Sequence, residues 1–139
     1  MADARLRILY DADCGFCRWS VARLLKADQS LCLVPVTIQS AEGQRLLAAV
    51  PVADRLASAH CVTAEGIVFS GGAAYTVVAK LVPALRHTSG LAEAMPKVVD
   101  IGYRGVANNR RLFSRWMTPD RLAWADRVIS ERIFEAQDL

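Results

Sequence analysis

The stretch LYDADCGFCRWSV, residues 9–21, leads from the end of an apolar run through an aspartate-rich bend to two cysteines separated by two residues. Ahead of the bend, Leu6, Ile8 and Tyr10 lie on one side of a period-two pattern. This alternation predicts a strand over 5–12 that ends in a turn.

The residues that follow the bend have the spacing of a helix. From Cys14 to about residue 28, the apolar positions Cys17, Val21 and Leu24 recur at intervals of three and four. Asp13 stands immediately ahead and has a side chain suited to an N-cap. We therefore expect both cysteines to lie in the first turn of a helix that directly follows a strand.

The remainder of the chain continues this alternation of strands and helices. A Gly pair precedes one helical stripe, Pro96 divides another long apolar segment, and Thr118-Pro119 resembles a helix start. The predicted elements are a strand at 30–38, in which Pro35 indicates an edge strand or a strand end, a helix at 41–50, a hairpin at 57–72, a helix ending at Pro83, a loop at RHTSG (86–90), helical segments over 91–116, and a last helix to about 136. The order is β-α-β-α-β-β-α followed by further helices.

Composition fits one folded domain. The 139 residues are 53% hydrophobic and 22% charged, with a net charge of +3. The basic excess lies late in the chain, but no nucleic-acid-binding module or interleaved stacking aromatics accompany it, so we expect no nucleic-acid partner. The apolar segment 67–85 is interrupted by glycines, Lys80 and Pro83, which argues against a membrane span. With no signal peptide visible, we expect a cytoplasmic protein.

The cysteine pair itself allows three interpretations. It is a redox couple, half of a zinc site, or two small core residues. In a reducing compartment a Cys-x-x-Cys beside a β-α unit favours redox chemistry. Zinc needs further ligands, for which Cys32, Cys61 and His60 are the candidates. However, Cys32 and Cys61 lie in apolar strands, where a free cysteine is usually a small hydrophobe, and we expect no metal and no organic cofactor.

Three segments together resemble the DCC family of predicted thiol-disulfide oxidoreductases, also known as DUF393. They are YDADCGFC (10–17), HCVTAEGIVFSGGAAY (60–75) and YRGVANNR (103–110), and the likeness extends over about 5–116. The resemblance implies a thioredoxin-like α/β fold, here with additional C-terminal helices. It divides the chain into a DCC-type domain at 1–116 and a helical extension at 117–139 that is packed on the domain or projects from it.

The resemblance also implies site residues. Asp11, Cys14 and Cys17 match the family's Asp-x-x-Cys-x-x-Cys signature, and Tyr103 and Arg110 belong to its later Tyr-x-x-x-Ala-x-x-Arg element, together with Ala107. Thioredoxins place a proline before the strand that faces their cysteines. Here that region reads LASAHCV, 56–62, so that His60 stands in the neighbourhood instead.

The residues themselves suggest how the pair would work. A thiolate is favoured at a helix N-terminus, and Cys14 stands there. Cys17 belongs to the apolar stripe, so we expect it to be the less accessible sulfur and the resolving thiol. Arg18, four residues after Cys14, is within reach of a thiolate. Arg110 lies on an apolar helix face, and we hypothesise that it pairs with Asp11.

The predicted function is therefore thiol-disulfide exchange with a protein or small-molecule disulfide, carried out by Cys14 and Cys17. Asp11, Arg18, His60, Tyr103 and Arg110 are the supporting candidates. His60 is either a proton shuttle or hydrogen-bonded scaffolding. The alternative is a non-catalytic thioredoxin-like module that binds a protein partner through 104–139.

Overall fold

A computed structural model describes residues 5–137, apart from the side chains of residues 89, 91–93, 96, 99, 100, 103 and 107. The chain forms a mixed α/β fold around a four-stranded sheet. In chain order the elements are β1 (Leu6–Tyr10), α1 (Gly15–Ala27), β2 (Leu33–Thr37), α2 (Ala41–Leu46), α3 (Val52–Arg55), β3 (His60–Val62), β4 (Val68–Ser70), α4 (Gly72–Leu81), α5 (Arg86–Ala94), α6 (Pro96–Asn108), α7 (Arg110–Ser114) and α8 (Pro119–Gln137).

The sheet has the strand order β2-β1-β3-β4. β1 and β2 are parallel and joined by α1, whereas β3 is antiparallel to β1 and forms a hairpin with β4. Pro35 lies in the edge strand β2, as expected, because a proline cannot donate to a neighbouring strand. The predicted β-α-β-α-β-β-α order and thioredoxin-like α/β class are confirmed.

The two faces of the sheet bury different residues. Leu6, Ile8 and Tyr10 lie in the larger core, which also contains residues of α1, α4 and α8. Leu9 belongs to a smaller core with Leu47 on the opposite face. The alternation seen in the sequence of β1 thus corresponds to burial on both sides of the sheet, and the cysteine loop begins directly after this buried strand.

The last helix is part of the main core. Ala125, Val128 and Ile129 of α8 are buried in it beside α1. Arg132 of α8 is also buried, and its Nη1 atom lies 2.8 Å from the Oδ2 atom of Asp28. The Arg132 guanidinium donates further hydrogen bonds to backbone carbonyls at the end of α1 and at the start of β2. It therefore serves as a cap for α1 from a distant part of the chain.

Two sequence predictions of secondary structure were wrong. The segment expected as a loop, 86–90, begins the helix α5. The helical segment around Arg110 is broken at Asn109, so that Arg110 opens α7. The N-cap of the last helix was predicted correctly, since the Thr118 hydroxyl accepts the backbone N–H of Arg121.

Candidate active site

The loop between β1 and α1 is organised by Asp11. Its Oδ1 atom accepts the backbone N–H of Asp13 at 2.9 Å and the side-chain amide of Gln39 at 2.6 Å. Its backbone carbonyl accepts the N–H of Cys14 at 3.2 Å. Gln39, in the turn after β2, also accepts the N–H of Ala12 and so connects this turn to the loop. These hydrogen bonds hold Cys14 at the N-terminus of α1.

Cys14 is itself the N-cap of α1. The Cys17 N–H donates to the Cys14 Sγ atom at 3.2 Å, and the Cys14 backbone is extended. The prediction that Asp13 caps this helix is wrong, because the helix begins one residue later and the Cys14 sulfur takes the cap position. A backbone N–H and the positive end of a helix both stabilise a negative charge on the atom they face.

Cys17 is held as a thiol. Burial, and then the hydrogen bond and charge of Cys14, raise the pKa of Cys17 to about 12, while Arg110 acts in the opposite direction. The expected order of exposure is wrong, since Cys14 is only 9% exposed and Cys17 is the more accessible residue of the two. The physical reason is the cover that α7 and α8 place over the start of α1.

That cover is formed at the two residues between the cysteines. A Cβ atom at Gly15 would lie 3.2 Å from Leu122 Cδ2 and 3.8 Å from Met117 Cγ. Phe16 stacks on Phe113 of α7, with ring centroids 4.9 Å apart. The segment after residue 110 therefore restricts how a substrate can approach Cys14.

Two openings adjoin the cysteines. Cys14 lines a surface cleft of about 670 Å³ together with residues of α6 and α7 and the 11–13 loop. Cys17 lines an apolar cavity of about 350 Å³ between the sheet, α1 and α4. Arg110 and Asp11 line both. The two sulfurs thus face different surroundings, one polar and charged and the other apolar.

Arg110 is the cation that the structure places beside both Asp11 and Cys17. Its Nη1 atom lies 3.8 Å from Asp11 Oδ2, so the hypothesised ion pair is present. Its Nη2 atom donates to the carbonyl of Leu56. The predicted placement of Arg18 beside Cys14 is wrong, because both prongs of its guanidinium are bonded to the carboxylate of Asp126, at 3.1 and 2.8 Å.

His60 is buried in β3, where both ring nitrogens are hydrogen-bonded. Nε2 lies 2.9 Å from the carbonyl of Arg55 and Nδ1 lies 2.6 Å from the hydroxyl of Ser70. A carbonyl only accepts, so Nε2 carries the proton and Nδ1 accepts from the serine. Burial lowers the pKa of His60. These bonds favour the scaffolding interpretation over the proton shuttle.

The other two cysteines lie outside the loop and helix that carry the pair, although Cys61 lines the same apolar cavity as Cys17. Cys61 is 1% exposed in β3, as predicted, whereas Cys32 precedes β2 and is partly exposed, so its expected place in the core was wrong. All four cysteines are free thiols. Among the described residues, no three His, Cys, Asp or Glu side chains come together as a metal site. No helix within residues 5–137 is long and apolar enough to cross a membrane.

Some site residues were missed by sequence reasoning, and one lies beyond the described part. The Tyr103 side chain is outside the described residues. Gln39 was missed because a single glutamine after a strand carries no signal in the sequence. Asn108, Arg111, Ser114 and Arg115, which line the cleft over Cys14, were missed as members of the site.

A strand, a tight loop and a helix capped by the first of two cysteines define a thioredoxin-like class of redox protein. In agreement, the model of the DCC1-like thiol-disulfide oxidoreductase family matches residues 8–116. The chain therefore belongs to that family. No curated protein and no solved structure matches it.

Proposed function

We propose that the chain catalyses thiol-disulfide exchange, with Cys14 as the attacking nucleophile and Cys17 as the resolving thiol. The observation that carries this proposal is the hydrogen bond from the Cys17 N–H to the Cys14 sulfur at the first turn of α1. The sulfur to which we assign the attack therefore faces a backbone donor and the positive end of the helix.

The protonation of Cys17 supports the division of roles. With its pKa raised to about 12, Cys17 stays protonated while Cys14 attacks. When Cys14 forms a mixed disulfide, its sulfur no longer carries a negative charge. Arg110 then favours the thiolate form of Cys17. The order of events therefore follows from the charges around the two sulfurs.

The reaction proceeds in two displacements. The Cys14 thiolate attacks one sulfur of a disulfide R–S–S–R, a Cys14–S–S–R bond forms, and one R–S⁻ leaves and takes a proton from water. Cys17 then gives up its proton and attacks the Cys14 sulfur, which releases the second R–S⁻. The cysteine pair is oxidised by two electrons to a disulfide, and the substrate is reduced to two thiols.

The test uses single-turnover reduction of a model disulfide by the pre-reduced protein. We expect Cys14→Ser to abolish the reaction and Cys17→Ser to accumulate a mixed disulfide on Cys14, detected by mass spectrometry. Cys32→Ser is the matched control and should react as the unchanged protein does. Full activity in Cys14→Ser, or no adduct in Cys17→Ser, would refute the proposal.

Exposed apolar side chains favour a second candidate, a partner-binding module. Ile101, Trp116 and Phe134 of the C-terminal region are 66–71% exposed, and apolar surface of this kind suits contact with another protein. Under this alternative, Cys14→Ser leaves partner binding unchanged, whereas Trp116→Ser weakens it. For the site of action we propose the cytoplasm, where a reactive dithiol is kept reduced.

A further inference from the structure

The cleft over Cys14 is lined by more arginines than aspartates, three against two. Its lining consists of Asp11, Asp13, Cys14, Asn108, Arg110, Arg111, Ser114 and Arg115. One of its arginines, Arg110, faces Asp11 and Cys17. The other charged residues of the lining are Arg111, Arg115 and Asp13, and they determine the charge that a substrate meets in the cleft.

The guanidinium groups of Arg111 and Arg115 are available to interact with an anionic ligand. They lie one turn apart at α7 and are exposed. Among the described residues, neither makes an ion pair with a carboxylate. A guanidinium presents a planar fork of donors that matches a carboxylate, and exposed arginines beside a cleft attract anions.

The first cysteine is largely covered. Cys14 is 9% exposed, and Leu122 and Met117 lie over the neighbouring Gly15. The cleft volume of about 670 Å³ is within the usual range for small-molecule sites. Both features favour a slender molecule over a folded protein surface.

We infer that the substrate of this site is a low-molecular-weight disulfide that carries carboxylate groups. This inference rests on the proposed function and names its substrate class. Carboxylates held by Arg111 and Arg115 place the disulfide bond over Cys14. In the first displacement the departing thiolate takes on its negative charge beside the same two arginines, which offsets the repulsion between anions in the cleft.

The experiment compares three disulfides of similar size in single-turnover reduction. They are the disulfide of 3-mercaptopropionate, which is a dianion, that of 2-mercaptoethanol, which is neutral, and cystamine, which is a dication. Each rate constant is divided by that of dithiothreitol with the same disulfide, so that intrinsic reactivity cancels. At low salt we expect a preference for the dianion over the neutral compound on the order of tenfold, which high salt reduces.

Charge variants locate the source of the preference. Arg111→Gln with Arg115→Gln should remove most of the dianion-to-neutral ratio, whereas Asp13→Asn should increase it. The ratio is informative because a change in the thiolate fraction of Cys14 affects both substrates equally. Arg45→Gln with Arg127→Gln removes the same charge from α2 and α8, outside the cleft, and should leave the ratio unchanged.

The outcomes separate this inference from the function on which it rests. Equal normalised rates for all three disulfides would show that the substrate class is wrong. The same conclusion follows if the double variant at Arg111 and Arg115 keeps the preference for the dianion and Asp13→Asn does not change it. In both cases the proposed exchange chemistry stands. If no disulfide is reduced in a manner that depends on Cys14, the proposed function fails and the substrate class with it. Circular dichroism and urea unfolding verify that each variant is folded.

Discussion

Arg110 Nη1 lies 3.8 Å from Asp11 Oδ2, which joins the start of α7 to the loop that presents the cysteines. Both side chains are largely shielded from solvent, 28% and 17% exposed. The same arginine donates to the carbonyl of Leu56 and lowers the pKa of the Cys17 thiol. One cation therefore connects three parts of the chain and affects the resolving cysteine.

Replacing this cation should slow resolution of the mixed disulfide. In Arg110→Met we expect the pKa of Cys17 to rise further, because the charge that lowers it is gone. The second displacement should slow by about three- to tenfold, since its rate follows the thiolate fraction of Cys17. The decay of the mixed disulfide after a single turnover measures this rate. Arg110→Lys keeps the positive charge and should therefore recover part of the lost rate. An unchanged rate of the second displacement in Arg110→Met would contradict the role given to Arg110.

The buried ion pair between Asp28 and Arg132 should be important for stability. Asp28 is 0% exposed at its side chain, so Arg132→Met leaves a buried carboxylate without its cation. We expect a loss of about 3–5 kcal/mol in the free energy of unfolding by urea. Asp28→Asn combined with Arg132→Met should recover part of the loss, because the buried charge is then removed.

The matched control is the exposed pair of Arg18 and Asp126. The Asp126 side chain is 57% exposed, so Asp126→Asn should cost less than about 1 kcal/mol. Equal losses at the two sites would mean that burial of the Asp28 carboxylate contributes nothing.

Cys61 should make the protein less stable at high pH. Burial raises the pKa of its thiol from 9.0 to about 11. Between these values the unfolded chain releases a proton that the folded protein keeps, so the free energy of unfolding falls as pH rises, by up to about 1.4 kcal/mol per pH unit. Urea unfolding under reducing conditions from pH 8 to 11 should show a shallower fall in Cys61→Ala. Parallel curves for the two proteins would argue against this assignment.

Gly15 should tolerate one methyl group but not a large side chain. An added Cβ meets the flexible Leu122 at 3.2 Å, which can yield by a few tenths of an ångström, and alanine favours a helix more than glycine does. Gly15→Ala should therefore be neutral or stabilising. Gly15→Leu should cost about 1–3 kcal/mol and speed alkylation of Cys14, because it displaces the cover. Leu122→Ala should relieve the cost, and a Gly15→Leu protein with normal stability and slow alkylation would count against the cover.

The elements with strong local signals were predicted from sequence. The alternation in β1, the Gly66 turn of the hairpin and the Thr118-Pro119 start of α8 each have a direct physical meaning for the backbone. The helix α5 was missed because His87, Thr88 and Gly90 near its start are poor helix formers. It is held by distant contacts, such as the 2.8 Å hydrogen bond between the hydroxyls of Tyr75 and Thr88.

Site residues were predicted correctly where a local sequence pattern determines their position. They were missed where a residue distant in the sequence supplies the interaction partner. The pair of Asp11 and Arg110 followed from helix spacing and the family motif, and it is present. Arg18 was misplaced because Asp126, 108 residues away, binds its guanidinium. Spacing within one helix gives no information on such a partner. It also does not show that the Cys14 sulfur, and not Asp13, takes the N-cap position of α1.

The contact between Asp28 and Arg132 spans 104 positions of the sequence. During translation the ribosome therefore releases the β1-α1-β2 unit well before the arginine that neutralises its buried carboxylate has been synthesised. Until then the Asp28 carboxylate lacks this cation, and the carbonyl groups of Leu25 and Asp28 lack the guanidinium that binds them in the folded protein. The β1-α1-β2 unit therefore reaches its final set of hydrogen bonds only after α8 has been synthesised and has docked.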